Sequence, residues 1–148
     1  ARGGMDIVLA LSEAAGEGAM ITLLGDRGRP HELMRDARFI GADAPFPAAP
    51  WLIAALLKVP VVLCLGLYRG GNRYDLVFET LAEQVDLPRT GRNAALDAYI
   101  GRYAARLEHY LREAPCNWFN FYDFWQPHGA TAVQPSVPSE NLEHARVA

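Results

Sequence analysis

The sequence contains few cysteines, little net charge and none of the short motifs that mark the commonest enzyme classes. Its two cysteines, Cys64 and Cys116, have neither the number nor the spacing of a disulfide framework or a zinc site, so we expect a reducing compartment and no metal. The net charge is only −3 and no long basic block occurs, which argues against nucleic acid as a partner. A P-loop, a G-x-G-x-x-G fingerprint and a G-x-S-x-G elbow are all missing, so nucleotide-binding proteins and serine hydrolases lose their usual support.

The sequence does contain enough apolar material for one folded domain. Of its 148 residues, 51% are hydrophobic and 21% are charged, and a chain of this length buries roughly 70% of its unfolded surface. The longest apolar run, residues 46–68, has Lys58 as its only charge and is long enough to cross a membrane. Because Pro50 and Pro60 divide this run, we predict a buried helix followed by a buried strand instead.

The first third of the chain is predicted to form a helix, a strand and a long loop. Residues 5–15 have helical spacing and are followed by two glycines. Residues 20–24 are a β-prone apolar run that ends at Gly25-Asp26-Arg27, where polar side chains follow the predicted strand. Residues 28–49 are rich in Gly, Pro, Arg and Asp, and we expect an ordered loop with a short strand at 37–40.

The remaining elements are predicted from proline, apolar runs and helical spacing. A helix begins at Pro50 and is apolar nearly all round, so it should be buried. The continuous apolar run 61–68 predicts a central strand covered on both faces, joined through a Gly-Gly turn to residues 74–78 in a hairpin. A long amphipathic helix with Asn93 as its N-cap follows.

Asp26 and Arg27 are the first candidate binding residues. They follow a predicted strand, and in open α/β sheets ligands bind beyond the carboxyl ends of strands. An arginine there can clamp a phosphate or a carboxylate with two hydrogen bonds, and the aspartate can hold the arginine or a nearby backbone group. An ordinary structural ion pair is the alternative.

His31 and Asp36, five positions apart in HELMRD, are a weaker catalytic candidate. A histidine base can take the proton of an acceptor hydroxyl while an aspartate fixes its tautomer and stabilises the imidazolium. A chance pair is the alternative, since the chain has four histidines and 17 acidic residues.

Residues 115–125, PCNWFNFYDFW, place six aromatic side chains within eight positions. As a strand this segment would place three rings on each face, and as a helix it would place four of them, Trp118, Phe121, Tyr122 and Trp125, on one face. In either case several rings need cover. One interpretation is aromatic core beneath the long helix, because each buried ring hides a large apolar area. The other is contact with a membrane interface or an acyl chain, which the polar tips of Trp and Tyr suit.

Read in order, these segments resemble the carboxyl-terminal part of bacterial lipid A biosynthesis acyltransferases of the lauroyl/myristoyl type, in the lysophospholipid acyltransferase superfamily. The resemblance covers roughly residues 5–125 and depends on order and spacing. The segments that carry it are GDR, then FIGADAPFPAAPWLIAALLKVPVVLC, YDLVFE, a Tyr/Leu helix and PCNWFNFYDFW.

The resemblance implies transfer of a fatty acyl chain from a thioester, on acyl carrier protein or coenzyme A, to a hydroxyl of a lipid acceptor such as a lipid A precursor. It implies a glycerolipid-acyltransferase-like α/β fold, with a mixed sheet flanked by helices, at the cytoplasmic face of the bacterial inner membrane. No bound cofactor is expected. Gly25-Asp26-Arg27 is similar to the family's block that binds the acceptor's polar head, and residues 59–62 are expected to be a core strand lining the cleft.

This sequence departs from the family in one feature. In the family the H-x4-D motif stands well upstream of the head-group block, whereas in this sequence His31 and Asp36 lie just downstream of it. We therefore expect the catalytic dyad upstream of this chain, a partial acyltransferase domain over residues 1–125 that is inactive alone, and a polar tail over 126–148. Missing neighbours would leave sheet edges and apolar faces uncovered, which favours self-association.

Two other functions remain open. The first is a non-catalytic lipid- or protein-binding module of the same fold. The second is a small thioesterase or transferase that uses His31 and Asp36 as its dyad.

Overall fold

Helices alternate with antiparallel strand pairs in the α/β domain that the computed structural model describes for residues 4–29 and 31–125. In chain order the elements are α1 (Gly4–Gly16), β1 (Met34–Phe39), β2 (Ala42–Pro47), α2 (Ala49–Leu57), β3 (Val61–Tyr68), β4 (Tyr74–Ala82) and α3 (Arg92–Glu113). The predicted α/β class is confirmed. The predicted single mixed sheet is wrong, because the strands of the described residues form two separate antiparallel pairs, β1–β2 and β3–β4. The predicted tail, residues 126–148, lies outside the described residues.

The β1–β2 hairpin occupies a region that the sequence predicts to be mostly loop. Its two-residue turn has Ile40 at φ 50° and Gly41 at φ 80°, and this pair of positive angles matches the right-handed twist of the flanking strands. Phe39 pairs with Ala42 across the turn. The loop prediction is wrong here because an isoleucine in the first turn position is not a recognised turn signal.

The centre of the core lies between the β1–β2 hairpin and α3. Phe39 and Phe46 are completely buried and meet edge to face, with ring centroids 5.5 Å apart. From α3, Ile100 is also completely buried. From α2, Trp51 stacks on Tyr99 of α3 with centroids 5.5 Å apart. Each of these side chains removes apolar area from water, the aromatic ones the most, so this cluster is the main source of stability.

The long helix α3 is confirmed, and its spacing correctly predicts the buried positions Leu96, Ile100 and Leu107. The predicted N-cap is wrong by two residues, because α3 is capped by Gly91 in the left-handed conformation (φ 79°) rather than by Asn93. A glycine adopts this conformation without strain.

Two ion pairs join α3 to the two hairpins. Arg35 of β1 donates from Nε and Nη2 to the carboxylate oxygens of Asp97, at 2.7 and 2.6 Å. Arg106 of α3 lies with Nε 2.7 Å from Oε1 of Glu79 on β4, and the Tyr110 hydroxyl donates to Oε2 of Glu79 at 3.0 Å. Both carboxylates therefore accept hydrogen bonds that favour their ionised form.

The helix α2 and the strand β3 confirm the predicted division of the apolar run. Within residues 4–29 and 31–125, none of the helices combines the length and apolar content that a membrane crossing requires. The prediction that this helix is buried all round is wrong, because Leu56 is 61% exposed. The helix ends at Leu57, and Lys58 follows in the left-handed conformation (φ 55°).

The β3–β4 hairpin is confirmed, but the predicted cover on both faces of β3 is wrong. In the described part of the chain β3 pairs with β4 alone, so it is not a central strand. Its side chains alternate between a core-facing and an exposed side: Leu63 and Leu67 are buried, while Val62 and Tyr68 are about half exposed. The continuous apolar run therefore leaves an uncovered apolar face.

The predicted strand over residues 20–24 is also wrong. The segment adopts no regular structure, and Met20 and Leu24 are 84% and 65% exposed. A β-prone sequence forms a strand only where a neighbouring strand accepts its backbone hydrogen bonds. The preceding helix α1, by contrast, agrees with its prediction to within one residue at each end.

Acid should weaken the fold through the two ion pairs to α3. Hydrogen bonds from Arg35 lower the pKa of Asp97, and hydrogen bonds from Arg106 lower the pKa of Glu79. A carboxylate whose pKa is lower in the folded state stabilises that state above its ordinary pKa of about 4, and this contribution is lost as pH falls through the folded value. We expect Asp97→Asn and Glu79→Gln to lower the free energy of unfolding at pH 7 and to reduce its loss between about pH 5 and pH 3.

Urea unfolding at several pH values measures this effect. Asp43→Asn is the control, because Asp43 lies 3.7 Å from Arg38 with both side chains about 70% exposed, and such surface pairs contribute little. Equal pH slopes for the wild type, Asp97→Asn and Glu79→Gln would contradict the assignment.

Candidate functional site

The tripeptide Gly25-Asp26-Arg27 passes directly over Tyr103 of α3. A Cβ atom placed on Gly25 would lie 2.7 Å from Cζ and 2.9 Å from Oη of Tyr103, so only glycine allows this approach. The Tyr103 ring itself packs edge to face on Phe46, with centroids 5.8 Å apart. The packing of Tyr103 on the core thus fixes how close the backbone of the tripeptide comes to α3.

Asp26 holds the tripeptide to residues 115–125, which we call the aromatic segment. The indole Nε1 of Trp118 donates to Oδ2 of Asp26 at 2.9 Å, and the Tyr122 hydroxyl donates to the Asp26 carbonyl at 3.4 Å. The Asp26 side chain is only 13% exposed. A hydrogen bond to an ionised acceptor in such a setting is roughly twice as strong as a neutral one.

The pKa values of the two tyrosines at the site are both raised. Burial raises the pKa of Tyr103 well above its ordinary value, and the negative charge of Asp26 acts in the same direction. Burial and the same carboxylate also raise the pKa of Tyr122. Both hydroxyls therefore keep their protons at neutral pH and can donate hydrogen bonds.

Arg27 is held by the backbone of the aromatic segment but remains accessible. Its Nη2 donates to the Phe119 carbonyl at 2.9 Å, and its Nε lies 4.0 Å from Oδ2 of Asp26. The side chain is 46% exposed. A guanidinium has five N–H donors, so the bond to Phe119 leaves others that can bind a phosphate or a carboxylate.

Some rings of the aromatic segment pack around Phe39, and others face solvent. After a 3-10 turn at Pro115–Asn117 it has no regular structure, so both the strand and the helix interpretation are wrong. Trp118, Phe124 and Trp125 surround Phe39, with ring centroids 5.3, 5.6 and 6.1 Å from it. Of these three, Phe124 is buried and Trp118 is partly buried, whereas Trp125 is 37% exposed. Phe119 at 61%, Phe121 at 93% and Tyr122 at 49% are more exposed still. The core interpretation therefore holds for Trp118 and Phe124, and the exposed rings can contact an apolar ligand.

Asn120, in the aromatic segment next to Phe119, has a buried side-chain amide that sequence reasoning missed. Its side-chain Oδ1 and Nδ2 are shielded from solvent, and neither has a hydrogen-bond partner within the described part of the chain. An unsatisfied buried polar group costs about 1–3 kcal/mol. The sequence signal for this residue is its position as an amide between the two aromatic residues Phe119 and Phe121.

His31 and Asp36 are not brought together as a dyad. His31 is exposed in a turn with φ 66°, and Asp36 is exposed on β1. The contacts of the described residues include no hydrogen bond or ion pair between them. His109 of α3 is 3.5 Å from Glu113, one helical turn further on, and the remaining two histidines lie outside the described residues.

Other possible binding features are weaker. Among residues 4–29 and 31–125, no group of three or more His, Cys, Asp or Glu side chains could hold a metal ion. Two open depressions, of about 490 and 670 Å³, lie on the surface of α3, and neither is lined by Asp26 or Arg27. In the first, Arg112 already pairs with Glu108, and the His109 side chain lies 3.5 Å from Glu113.

No family model, curated protein or solved structure matches this chain. The support for the candidate site therefore comes from the contacts of its own residues. Asp26 and Arg27, selected from the sequence by their position after an apolar run, are the residues that meet the aromatic segment, 92 positions away along the chain. These two segments are both among those on which the family resemblance depends.

The close approach of Gly25 to Tyr103 makes a direct prediction. Gly25→Ala should lower the free energy of unfolding by about 1–3 kcal/mol, because the added methyl group overlaps a ring that packs on Phe46. Gly16→Ala is the matched control, since its Cβ would meet nothing within 4 Å. Urea unfolding followed by tryptophan fluorescence measures both.

A second background tests the cause of this loss. Tyr103→Leu removes the ring atoms that the Gly25→Ala methyl group would overlap, so the added cost of Gly25→Ala should be smaller in that background. An equal cost in both backgrounds, or no cost in the wild type, would show that the tripeptide does not cross the ring.

Proposed function

We propose that this chain is part of an acyltransferase with a glycerolipid-acyltransferase-like fold. The enzyme would move a fatty acyl group from a thioester of acyl carrier protein or coenzyme A to a hydroxyl of a lipid acceptor such as a lipid A precursor. It would act at the cytoplasmic face of the bacterial inner membrane. Support comes from the order of the segments, which resembles that of bacterial lipid A biosynthesis acyltransferases, and from the contacts around Asp26 and Arg27.

One observation carries the proposal: an accessible cation lies beside exposed aromatic side chains. Arg27 is 46% exposed, and the carbonyl that holds it belongs to Phe119, whose ring is itself exposed. Phe121 and Tyr122 follow and are exposed as well. A phosphorylated lipid has the matching chemistry, because its head group is anionic and its acyl chains are apolar.

The two polar residues have different roles in this proposal. Arg27 is the binding residue, because its free N–H groups face solvent and can reach a phosphate. Asp26 is a positioning residue, because its carboxylate is occupied by Trp118 and is largely buried. Asp26 thereby keeps the aromatic segment, and with it the Phe119 carbonyl, where Arg27 needs it.

The reaction also requires a base, which we place upstream of this chain in an H-x4-D motif. The base would take the proton of the acceptor hydroxyl as its oxygen attacks the thioester carbonyl, and the thiol would leave with a proton. His31 and Asp36 remain the weaker candidates, but no contact joins them. The chain would then supply acceptor binding and need the upstream part for chemistry.

Binding of a lipid A precursor by the full chain tests the role of Arg27. Arg27→Gln should weaken binding by about tenfold or more, because a charge-assisted hydrogen bond to phosphate contributes about 1.5–3 kcal/mol. Arg29→Gln is the matched control, since Arg29 is also an exposed arginine of the same loop. Titration of the precursor in mixed micelles, followed by tryptophan fluorescence, measures both variants.

Three outcomes distinguish the alternatives. Equal losses in Arg27→Gln and Arg29→Gln would contradict a specific head-group site. Acyl-thioester turnover by the chain alone, abolished by His31→Ala, would replace the proposal with a small thioesterase or transferase. An upstream reading frame without H-x4-D, together with normal lipid binding, would favour the non-catalytic binding module.

A further inference from the structure

The outer face of the β3–β4 hairpin is an uncharged surface that faces solvent. Alternate residues of both strands point outward, and the register places Cys64 opposite Phe78, Gly66 opposite Leu76 and Tyr68 opposite Tyr74. The full outer face consists of Val62, Cys64, Gly66, Tyr68, Tyr74, Leu76, Phe78 and Thr80. None of these side chains carries a formal charge, which is unusual for a sheet face in contact with water.

The outer face has a ridge on one strand and a groove on the other. Tyr74, Leu76 and Phe78 of β4 are 63%, 69% and 64% exposed and form the ridge. On β3, Cys64 and Gly66 are small and leave a groove beside it. A ridge next to a groove, with Val62 and Tyr68 at the two ends of the groove, can fit a second copy of the same face.

The exposed area is close to what a specific but weak dimer needs. An aromatic side chain can bury about 150–250 Å². With the exposed fractions of Val62, Tyr68 and the three ridge residues, the face offers roughly 500 Å² per copy. Two such faces would bury about 1,000 Å² in total, which is near the lower limit for a specific protein interface.

The surrounding charges favour a protein partner over a membrane. A membrane-binding surface usually combines its apolar side chains with several Lys or Arg residues. The turn at the end of this hairpin carries Arg69 and Arg73, but Arg69 is bonded to Asp75 at 2.7 Å and lies 3.7 Å from Glu113. These two acidic residues would oppose an anionic lipid surface.

We propose that the outer face binds the same face of a second copy about a two-fold axis, with the ridge of each copy in the groove of the other. Such an isologous contact closes on itself and gives a dimer rather than a filament. The proposal uses neither Arg27 nor the aromatic segment, so a failure of the dimer test leaves the acceptor-binding proposal standing.

Sedimentation of the full chain at about 1 to 200 µM tests the proposal, because interfaces at the lower limit of size include the weak and transient ones. We expect a monomer–dimer equilibrium in the wild type. Leu76→Arg, on the ridge, should weaken it by about tenfold or more, whereas Leu56→Arg, a leucine of α2 that is 61% exposed, should not change it.

Gly66→Val provides a second variant that adds no charge. A Cβ at Gly66 would lie 3.9 Å from Cδ2 of Leu76, an ordinary contact, so the hairpin should still form. The new side chain fills the groove, and dimerisation should again weaken by about tenfold or more. Circular dichroism of all variants verifies that they are folded.

Several results would overturn the proposal. They are a wild type that stays monomeric at the highest concentration, a dimer that neither Leu76→Arg nor Gly66→Val weakens, and open-ended aggregates in place of a dimer. A monomeric wild type that binds vesicles of phosphatidylglycerol, with binding lost in Leu76→Arg, would assign the face to a membrane instead.

Discussion

The packing of the aromatic segment around Phe39 is the interaction on which the candidate site depends. Phe39 is completely buried and contacts Trp118, Phe124 and Trp125, so the last described part of the chain is fixed on the β1–β2 hairpin. The indole of Trp118 has an apolar face for this contact and an N–H for the Asp26 carboxylate. One side chain therefore connects the core to the polar residues of the site.

This connection explains why the site has both a rigid and an accessible part. Asp26 is largely buried and bonded, and Gly25 lies against Tyr103, so the backbone of the tripeptide has little freedom. Arg27 is positioned by one backbone carbonyl and keeps most of its donors in solvent. An arginine held in this way would lose less conformational entropy on binding a ligand. The uncovered β3–β4 face lies on different elements from Asp26 and Arg27.

Local patterns predicted elements that are stabilised by their own residues. The spacing of Leu96, Ile100 and Leu107 predicts α3, and the Gly-Gly turn predicts the β3–β4 hairpin. The short strand expected at 37–40 overlaps β1, but its pairing with β2 is not predicted, because Ile40 occupies a left-handed position that its side chain does not indicate. The strand over residues 20–24 was wrong because its formation depends on a neighbour rather than on its own composition.

The candidate site was predictable only in part. The position of Asp26 and Arg27 after an apolar run, and the family resemblance, selected them as binding residues. Their contacts with Trp118 and Phe119 were not predictable, because no local rule relates residues 92 positions apart. The irregular backbone of the aromatic segment follows from the same cause, since three of its rings pack around one phenylalanine of β1 rather than forming one regular face.

A double-mutant cycle between Asp26 and Trp118 tests the central claim most directly. Trp118→Phe keeps an aromatic ring but removes the N–H, and Asp26→Ala removes the acceptor. The account predicts a coupling energy of about 1–3 kcal/mol in urea unfolding, as expected for a hydrogen bond to a largely buried carboxylate. A cycle with Trp51→Phe, whose ring stacks on Tyr99, should give no coupling beyond about 0.5 kcal/mol. A coupling of Asp26 to Trp118 no larger than this control would contradict the account.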